Sequence, residues 1–436
     1  MSQAPTPLKT AQEKFAGLDY QECLRLLTFA FAEEPDNKDC YALALDCLKK
    51  MNANDEAELF AAALRDFSNF KVFFDLGYHF IEVGHDRMAI PLLQRAFSLS
   101  PGNSEIGLEL AIALCGKFRP HEACEVLIQC DLSSNFWVGY QYYWASLLCN
   151  LTSGAEQFIR DSRRKFLSES ASHEIRGALY ALDKLDELRI RLNVVKQPQS
   201  FIRDWHFIQY GSAILDYFDD REGQDGLKIA GGRWVYVGVS YQQLRVTLNK
   251  LKRLMLELGR EPKLVLSMPD RDSTIIAHGV ASLFGLHMTV IPDPANLGWE
   301  ESIVVAANNW NLAGAQIERI LKQQTIFAFN HNWLAQGPST PDVIGLMSQY
   351  CTFPWGKDRL TVDPATNQRV RAAEDTRDPE KIAAEFSQEL TEIEAQFTPH
   401  LNFYKQHEPY LKGGRLAGNK RWRFITDSPI SGTYFC

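Results

Sequence analysis

The chain has 436 residues, enough for two or three domains. Its 45% hydrophobic and 23% charged residues are the composition of an ordinary globular protein, not of a disordered or fibrous one. A formal net charge of -8 gives no general electrostatic reason to bind nucleic acid or an anionic membrane surface.

The opening MSQAPTPLKTAQEK has no apolar core of a secretory signal. No run of 18 apolar residues follows, so no membrane span is expected. Seven of the nine cysteines precede residue 150, many at positions where Ala would serve as well. They read as small buried hydrophobes of a reducing compartment, and a cytoplasmic location is expected. Cys115, His121, Cys124 and Cys130 have the chemistry of zinc ligands, but C-x5-H-x2-C-x5-C is not a zinc spacing. With Cys130 at an Ala-like position and Pro120 and His121 in a turn, no metal and no cofactor are expected.

Residues 70–103 read FKVFFDLGYHFIEVGHDRMAIPLLQRAFSLSPGN. Phe73, Leu76, Gly77 and Phe80 fall on one helical face, and Ala89, Leu93, Ala96 and Pro101 on a second. Small residues at Gly77 and Ala89 let two helices cross closely, and Gly84 ends the first helix. One period on come Leu110, Ala111, Leu114, Ala123 and Leu127; one period back, Ala57, Ala61 and Leu64; and before those, Cys23, Leu27, Ala30 and Pro35. This pattern resembles the tetratricopeptide repeat, W-x2-L-G-x2-Y, A-x3-F, P. The resemblance implies an all-α solenoid over residues 1–193, with a degraded hairpin around 140–166 and a capping helix over 172–192. It also implies a concave surface built from the first helix of each hairpin, to which Lys71, Phe74, Tyr78 and Glu82 contribute. A protein or peptide partner in that groove is expected; the alternative, that the rest of the same chain covers it, stays open.

The helical pattern breaks around VVKQPQSF, and residues 194–232 are expected to form a linker and docking segment. From 233 to 436 the chain alternates apolar runs and amphipathic stretches: WVYVGVS, KLVLSMP, HMTVIPD, SIVVAA and TIFAFNHNW as strands, with helices between them. Fully apolar strands separated by helices predict an α/β domain with a mostly parallel sheet. Ligands of such sheets bind beyond the C-terminal strand ends. The candidates there are Asp270, Arg271, Asp272 and Ser273 after the second run, Asn308, Asn309 and Gly314 after the fourth, and His331 after the fifth.

The stretch SIVVAANNWNLAGAQIERILK, with PDRDSTIIAHGVASLFGL before it, resembles the type I phosphoribosyltransferases over Tyr236 to Asn330. That family carries two acidic residues after this strand and a Thr-rich loop opening the next helix. Here Asn308 and Asn309 stand at the acidic positions, Leu312, Ala313 and Gln316 replace hydroxyl residues, and Gly314 is kept. The resemblance thus implies a degenerate domain that binds a small anion or a partner without transferring a phosphoribosyl group. A Rossmann-like sheet without that ancestry is the alternative.

Pro379 to about His407 is expected to be one long helix, and the KGGRLAGNK segment with Arg415, Lys420, Arg421 and Arg423 a basic tail. KGGRLAGNK misses the phosphate-loop spacing, and no nucleophile elbow or H-E-x-x-H occurs. The expected function is therefore a cytoplasmic interaction module rather than an enzyme. The alternatives are a transferase of nucleotide-sugar or phosphoribosyl type whose repeats present a protein substrate, and a purely structural adaptor.

Overall fold

A computed structural model describes residues 5–170, 172–198, 202–216, 233–291, 301–312, 324–334, 337, 340–357, 360–362, 365–393, 395, 397–413 and 421–430. The chain forms two compact units: Met1–Leu185 together with Asp427–Pro429, and Asp186–Thr426 together with Ile430–Cys436.

The first unit is a row of helical hairpins: α1 (Pro7–Ala16) with α2 (Tyr20–Glu33), α3 (Lys38–Lys50) with α4 (Asn54–Arg65), and α5 (Phe70–Glu82) with α6 (Asp86–Leu99). Then come α7 (Ser104–Gly116) with α8 (Pro120–Leu127), α9 (Phe136–Leu148) with α10 (Ala155–Leu167), and the long α11 (His173–Val195), which belongs to the first unit only through Leu185. The hairpins pack through the small and apolar positions that the repeat spacing predicts. Phe73, Leu76, Ala89, Leu93 and Ala96 are all fully buried. A Cβ on Gly77 would lie 2.7 Å from Leu93 Cγ, so only glycine lets α5 approach α6 this closely. In α4 the buried face is Ala57, Phe60 and Ala63, one residue off the expected Ala57, Ala61 and Leu64.

Two periodic devices set the hairpin ends. Asn37, Asn69, Asn103 and Asn135 cap α3, α5, α7 and α9, each side chain accepting a backbone N–H of the first turn. The first helix of each hairpin is followed by a left-handed residue: Leu18, Asn52, Gly84, Phe118 and Asn150. Pro120 opens α8 as its first residue rather than lying in the turn. Cys130 packs against Gly107, and Cys115 is buried in the same core.

The second unit opens with the end of α11 from Asp186, followed by α12 (Ile202–Tyr210) and β1 (Ala213–Ile214), which lie in the expected linker segment. There follow β2 (Trp234–Gly238), α13 (Tyr241–Glu257), β3 (Leu264–Ser267), α14 (Arg271–Phe284), β4 (Met288–Val290), β5 (Ser302–Asn308), β6 (Thr325–His331) and β7 (Val343–Thr352). The sheet order among the described residues is β1-β7-β6-β5-β3-β4, with β2 on the same edge of β7 as β1. Every pairing in it is parallel. Leu266, Met268, Val304, Ala306, Ile326 and Ala328 form an apolar core on one face. Two short strands, β8 (Leu360–Val362) and β9 (Arg369–Arg371), pair antiparallel apart from it.

Two expectations fail in this unit. The strand series does not end at β6, because β7 lies inside the sheet between β6 and β1. The single helix expected from Pro379 to His407 is two short ones, α15 (Pro379–Ala383) and α16 (Phe397–Gln406). The chain between them is held by α13. Asn249 donates to Gln388 O and accepts from Leu390 N–H, and Arg245 donates to Glu385 O. These bonds take the backbone groups a helix would use. The expected helix after β5 and the 414–420 segment lie outside the described residues.

Candidate functional site

The strand-end residues are drawn together by their own hydrogen bonds. Asp270 caps α14, accepting from Ser273 N–H at 2.9 Å and from Ser273 Oγ at 2.6 Å. Ser273 Oγ in turn accepts the Ala307 N–H at 2.8 Å, which ties the loop after β3 to the end of β5. Asp272 accepts the Trp355 indole N–H at 2.6 Å. Burial raises the Asp272 carboxyl above its ordinary range, with that hydrogen bond opposing. Arg271 donates to Arg377 O at 3.1 Å and to Asp375 O. All four candidates of this loop thus hold protein groups.

The asparagines form a ladder across the strand ends. Asn330 Nδ2 donates to Asn308 Oδ1 at 3.0 Å, and Asn330 Oδ1 accepts from Ser348 N–H and Oγ at 3.1 and 2.7 Å. Asn309 Oδ1 accepts the Asn332 N–H at 2.9 Å. Asn308 and His331 are the last residues of β5 and β6 rather than loop residues. Gly314 lies outside the described residues.

His331 follows Asn330 and so faces the other side of the sheet. It is fully buried, 4.4 Å from the Phe424 ring and 5.8 Å from the His206 ring, centroid to centroid. Burial, with Arg233 second, pushes His331 down to about 3, so it is a neutral imidazole. Burial, then His331 and Arg233, likewise lower His206.

At the opposite, N-terminal ends of the strands a cavity of about 320 Å³ is lined by Arg260, Ser302, Gln324, Asp342 and Lys412, among others. Arg421, from the expected basic tail, pairs with Asp342 there. Nearby, Glu187 Oε2 accepts from Lys412 Nζ at 3.2 Å, from Trp422 Nε1 at 2.7 Å and from Arg191. Burial, then Arg191, lowers Lys412 to about 8, with Glu187 opposing. Glu187 and Arg191 belong to a helix read only as a cap, so nothing in the spacing flagged this buried cluster.

On the first unit, the residues expected at the groove form a stripe along α5. Phe74 and Tyr78 stack at 5.9 Å, and Tyr78 is 41% exposed. Lys71 pairs with Asp75 at 3.0 Å. The Tyr78 hydroxyl is raised by the negative charge of Glu82 and then of Glu109. Glu109, on α7, is itself raised by burial, then by Glu105 and Glu82. The stripe is therefore aromatic and acidic.

Two helices further on, α9 carries Tyr140 and Trp144, stacked at 6.2 Å. The Trp144 indole donates to Asp427 Oδ2 at 3.0 Å, and Lys184 Nζ of α11 lies 4.9 Å over the Trp144 ring. Ser428, the next residue, is buried. Burial raises Asp427 to about 6, with Lys184 and the Trp144 hydrogen bond opposing. No sequence signal marks Asp427 as part of the repeat unit.

No family model matches the sequence, and no curated protein does. Among solved structures the chain is similar to YrrB, described as a TPR protein with an unusual peptide-binding site. The identity is 16%, over 40% of this chain and 89% of that one, with a TM-score of 0.25. The repeat assignment rests on the hairpin packing above, not on this likeness. No described helix is long and apolar enough to cross a membrane.

Proposed function

We propose that this protein is a cytoplasmic interaction module whose repeats hold a partner polypeptide. The observation that carries this reading is the stripe on α5: the exposed Tyr78 stacked on the half-buried Phe74, with Glu82 and Glu109 beside them. A rigid aromatic pair offers large contact area at low entropic cost, and the adjacent carboxylates give direction to a polar segment. The α/β domain serves as a catalytically degenerate, phosphoribosyltransferase-like module that binds a partner or a small anion. Supporting this, Asn308 is spent on Asn330, and Asp270 on Ser273 and the α14 cap.

Capture from a lysate of the native host tests the repeat reading. The full chain is expected to retain a specific polypeptide that the Phe74→Ala/Tyr78→Ala variant loses. Equal retention by both would remove α5 as the binding face. For the α/β domain, a thermal-shift titration with phosphoribosyl pyrophosphate and inorganic phosphate checks anion binding, and no shift with either would leave partner binding alone.

A further inference from the structure

We propose that the neighbouring faces of α5 and α7 receive a basic polypeptide segment, an apolar side chain of which rests on Phe74, Tyr78 and Ile112 while a lysine or arginine is held among Glu82, Glu105 and Glu109. The proposal rests on the reading of the repeats as a polypeptide-holding unit and adds the chemistry of the partner.

The geometry comes from the register of the repeats. Phe74, Tyr78 and Glu82 follow one another at four-residue spacing along α5, off the face that Phe73, Leu76 and Phe80 bury. Glu105, Glu109 and Ile112 share one face of α7 in the same way, off the one that Ile106, Leu110 and Leu114 bury. The two helices touch each other. As the first helices of successive hairpins they are the elements that line the concave surface of such a solenoid. Tyr78 and Ile112 are each 41% exposed, so each helix leaves a large apolar side chain open to water beside carboxylates.

The charge decides the occupant. Lys71, the basic residue of the α5 stripe, is taken by Asp75 at 3.0 Å. Among the described residues, no ion pair holds Glu82, Glu105 or Glu109. The Tyr78 hydroxyl is raised by Glu82 and then Glu109, and Glu109 by burial first and then by Glu105 and Glu82, so the charges acting across the two helices are all negative. Burial is the largest effect at Glu109, so the exposed Glu82 and Glu105 set the sign of the face. Like charges on neighbouring helices repel, and a cation placed among them relieves that repulsion besides gaining its own attraction. A guanidinium also stacks on a tyrosine ring. A nucleic-acid backbone or an anionic lipid would add to the repulsion, which disfavours both.

The test uses the full chain and three fluorescein-labelled peptides read by anisotropy: Gly-Lys-Leu-Arg-Tyr-Lys-Leu-Gly, and the same with Gln or with Glu at its three basic positions. Wild type is expected to bind the basic peptide at least tenfold tighter than the Gln peptide, and the difference should shrink between about 50 mM and about 300 mM salt. Glu82→Gln/Glu105→Gln should lower only the basic peptide's affinity, at least fivefold, whereas Tyr78→Ala should lower both. Glu82→Lys/Glu105→Lys should reverse the preference toward the Glu peptide, an outcome that a damaged fold does not produce. Equal binding of the basic and Gln peptides by wild type, no binding of either, or an unchanged preference in Glu82→Lys/Glu105→Lys would overturn the proposal. So would self-association of the chain that Tyr78→Ala abolishes, because a second copy would then be the occupant. Any of these results beside Phe74- and Tyr78-dependent capture of a polypeptide leaves the broader reading standing; failure of both the peptide and that capture would sink the broader reading as well.

Discussion

The indole of Trp144 and the carboxylate of Asp427 meet at 3.0 Å within the repeat unit, which ties a three-residue segment near the C-terminus to the fifth hairpin. The pair makes a prediction about pH. Asp427 is raised to about 6 from an ordinary 3.8, by burial above all, against the pull of Lys184 and with Asp86 adding to the rise. The folded chain therefore holds this proton to higher pH than the unfolded chain does. By linkage, this group makes stability fall as pH rises from about 4 to about 6, after which its cost is constant. Urea midpoints of the full chain should show that slope, and Asp427→Asn should flatten it. Trp144→Phe should cost about 1–3 kcal/mol by leaving the carboxylate without its donor.

Hairpin ends give a second prediction. Leu18 sits at φ 65° and Gly84 at φ 77° in equivalent positions after α1 and α5. A left-handed conformation costs an L-residue about 1–2 kcal/mol, and glycine avoids that cost at some loss of backbone entropy. Leu18→Gly should stabilise the chain by about 0.5–1 kcal/mol by this balance. Gly84→Ala should destabilise it by about 1 kcal/mol through backbone strain, since a Cβ there meets nothing within 4 Å. Thermal or urea unfolding measures both.

Ser273 supplies a third. Its hydroxyl accepts the Ala307 N–H and donates to Asp270. Ser273→Ala leaves a buried N–H and a carboxylate oxygen without that partner, at a cost of about 1–3 kcal/mol. Were this hydroxyl instead kept for a ligand, the same substitution would weaken binding and leave urea unfolding unchanged.

Lys412 supplies a fourth. Burial and Arg191 lower it to about 8 from an ordinary 10.5, so the folded chain releases this proton before the unfolded chain does. The unfolded state binds more protons between those values, and stability should rise with pH from about 8 to about 10.5. Lys412→Met should remove that rise. Glu187→Gln should cost about 3–5 kcal/mol, because Arg191 and Lys412 would then be buried without their shared carboxylate.

The repeats were legible because their code is local. Gly77 and Ala89 mark a helix crossing within a single period, and their spacing survives without any tertiary information. The recurring asparagine caps are equally local but inconspicuous, since Asn37, Asn69, Asn103 and Asn135 sit in otherwise dissimilar segments. What escaped was set by distant groups. Residues 384–393 have a helical composition, but Asn249 and Arg245 of α13 take their backbone groups. β7 carries Gly345 and Ser348 and does not read as a core strand. A Cβ at Gly345 would lie 2.4 Å from Phe329 O, so the glycine is there for the neighbouring strand. The strand-end loops were placed correctly in the chain, but whether Asp270 faces a ligand or its own helix depends on Ser273 and Ala307, which no spacing rule couples.

The measurement closest to the central claim is site-specific photo-crosslinking in the native host. A benzophenone side chain replaces Tyr78 on the α5 stripe in one protein, and Leu167, an exposed residue at the end of α10, in another. The account predicts a discrete polypeptide crosslinked from position 78 and none from position 167. No crosslinked polypeptide from position 78, or the same yield from both positions, would contradict it.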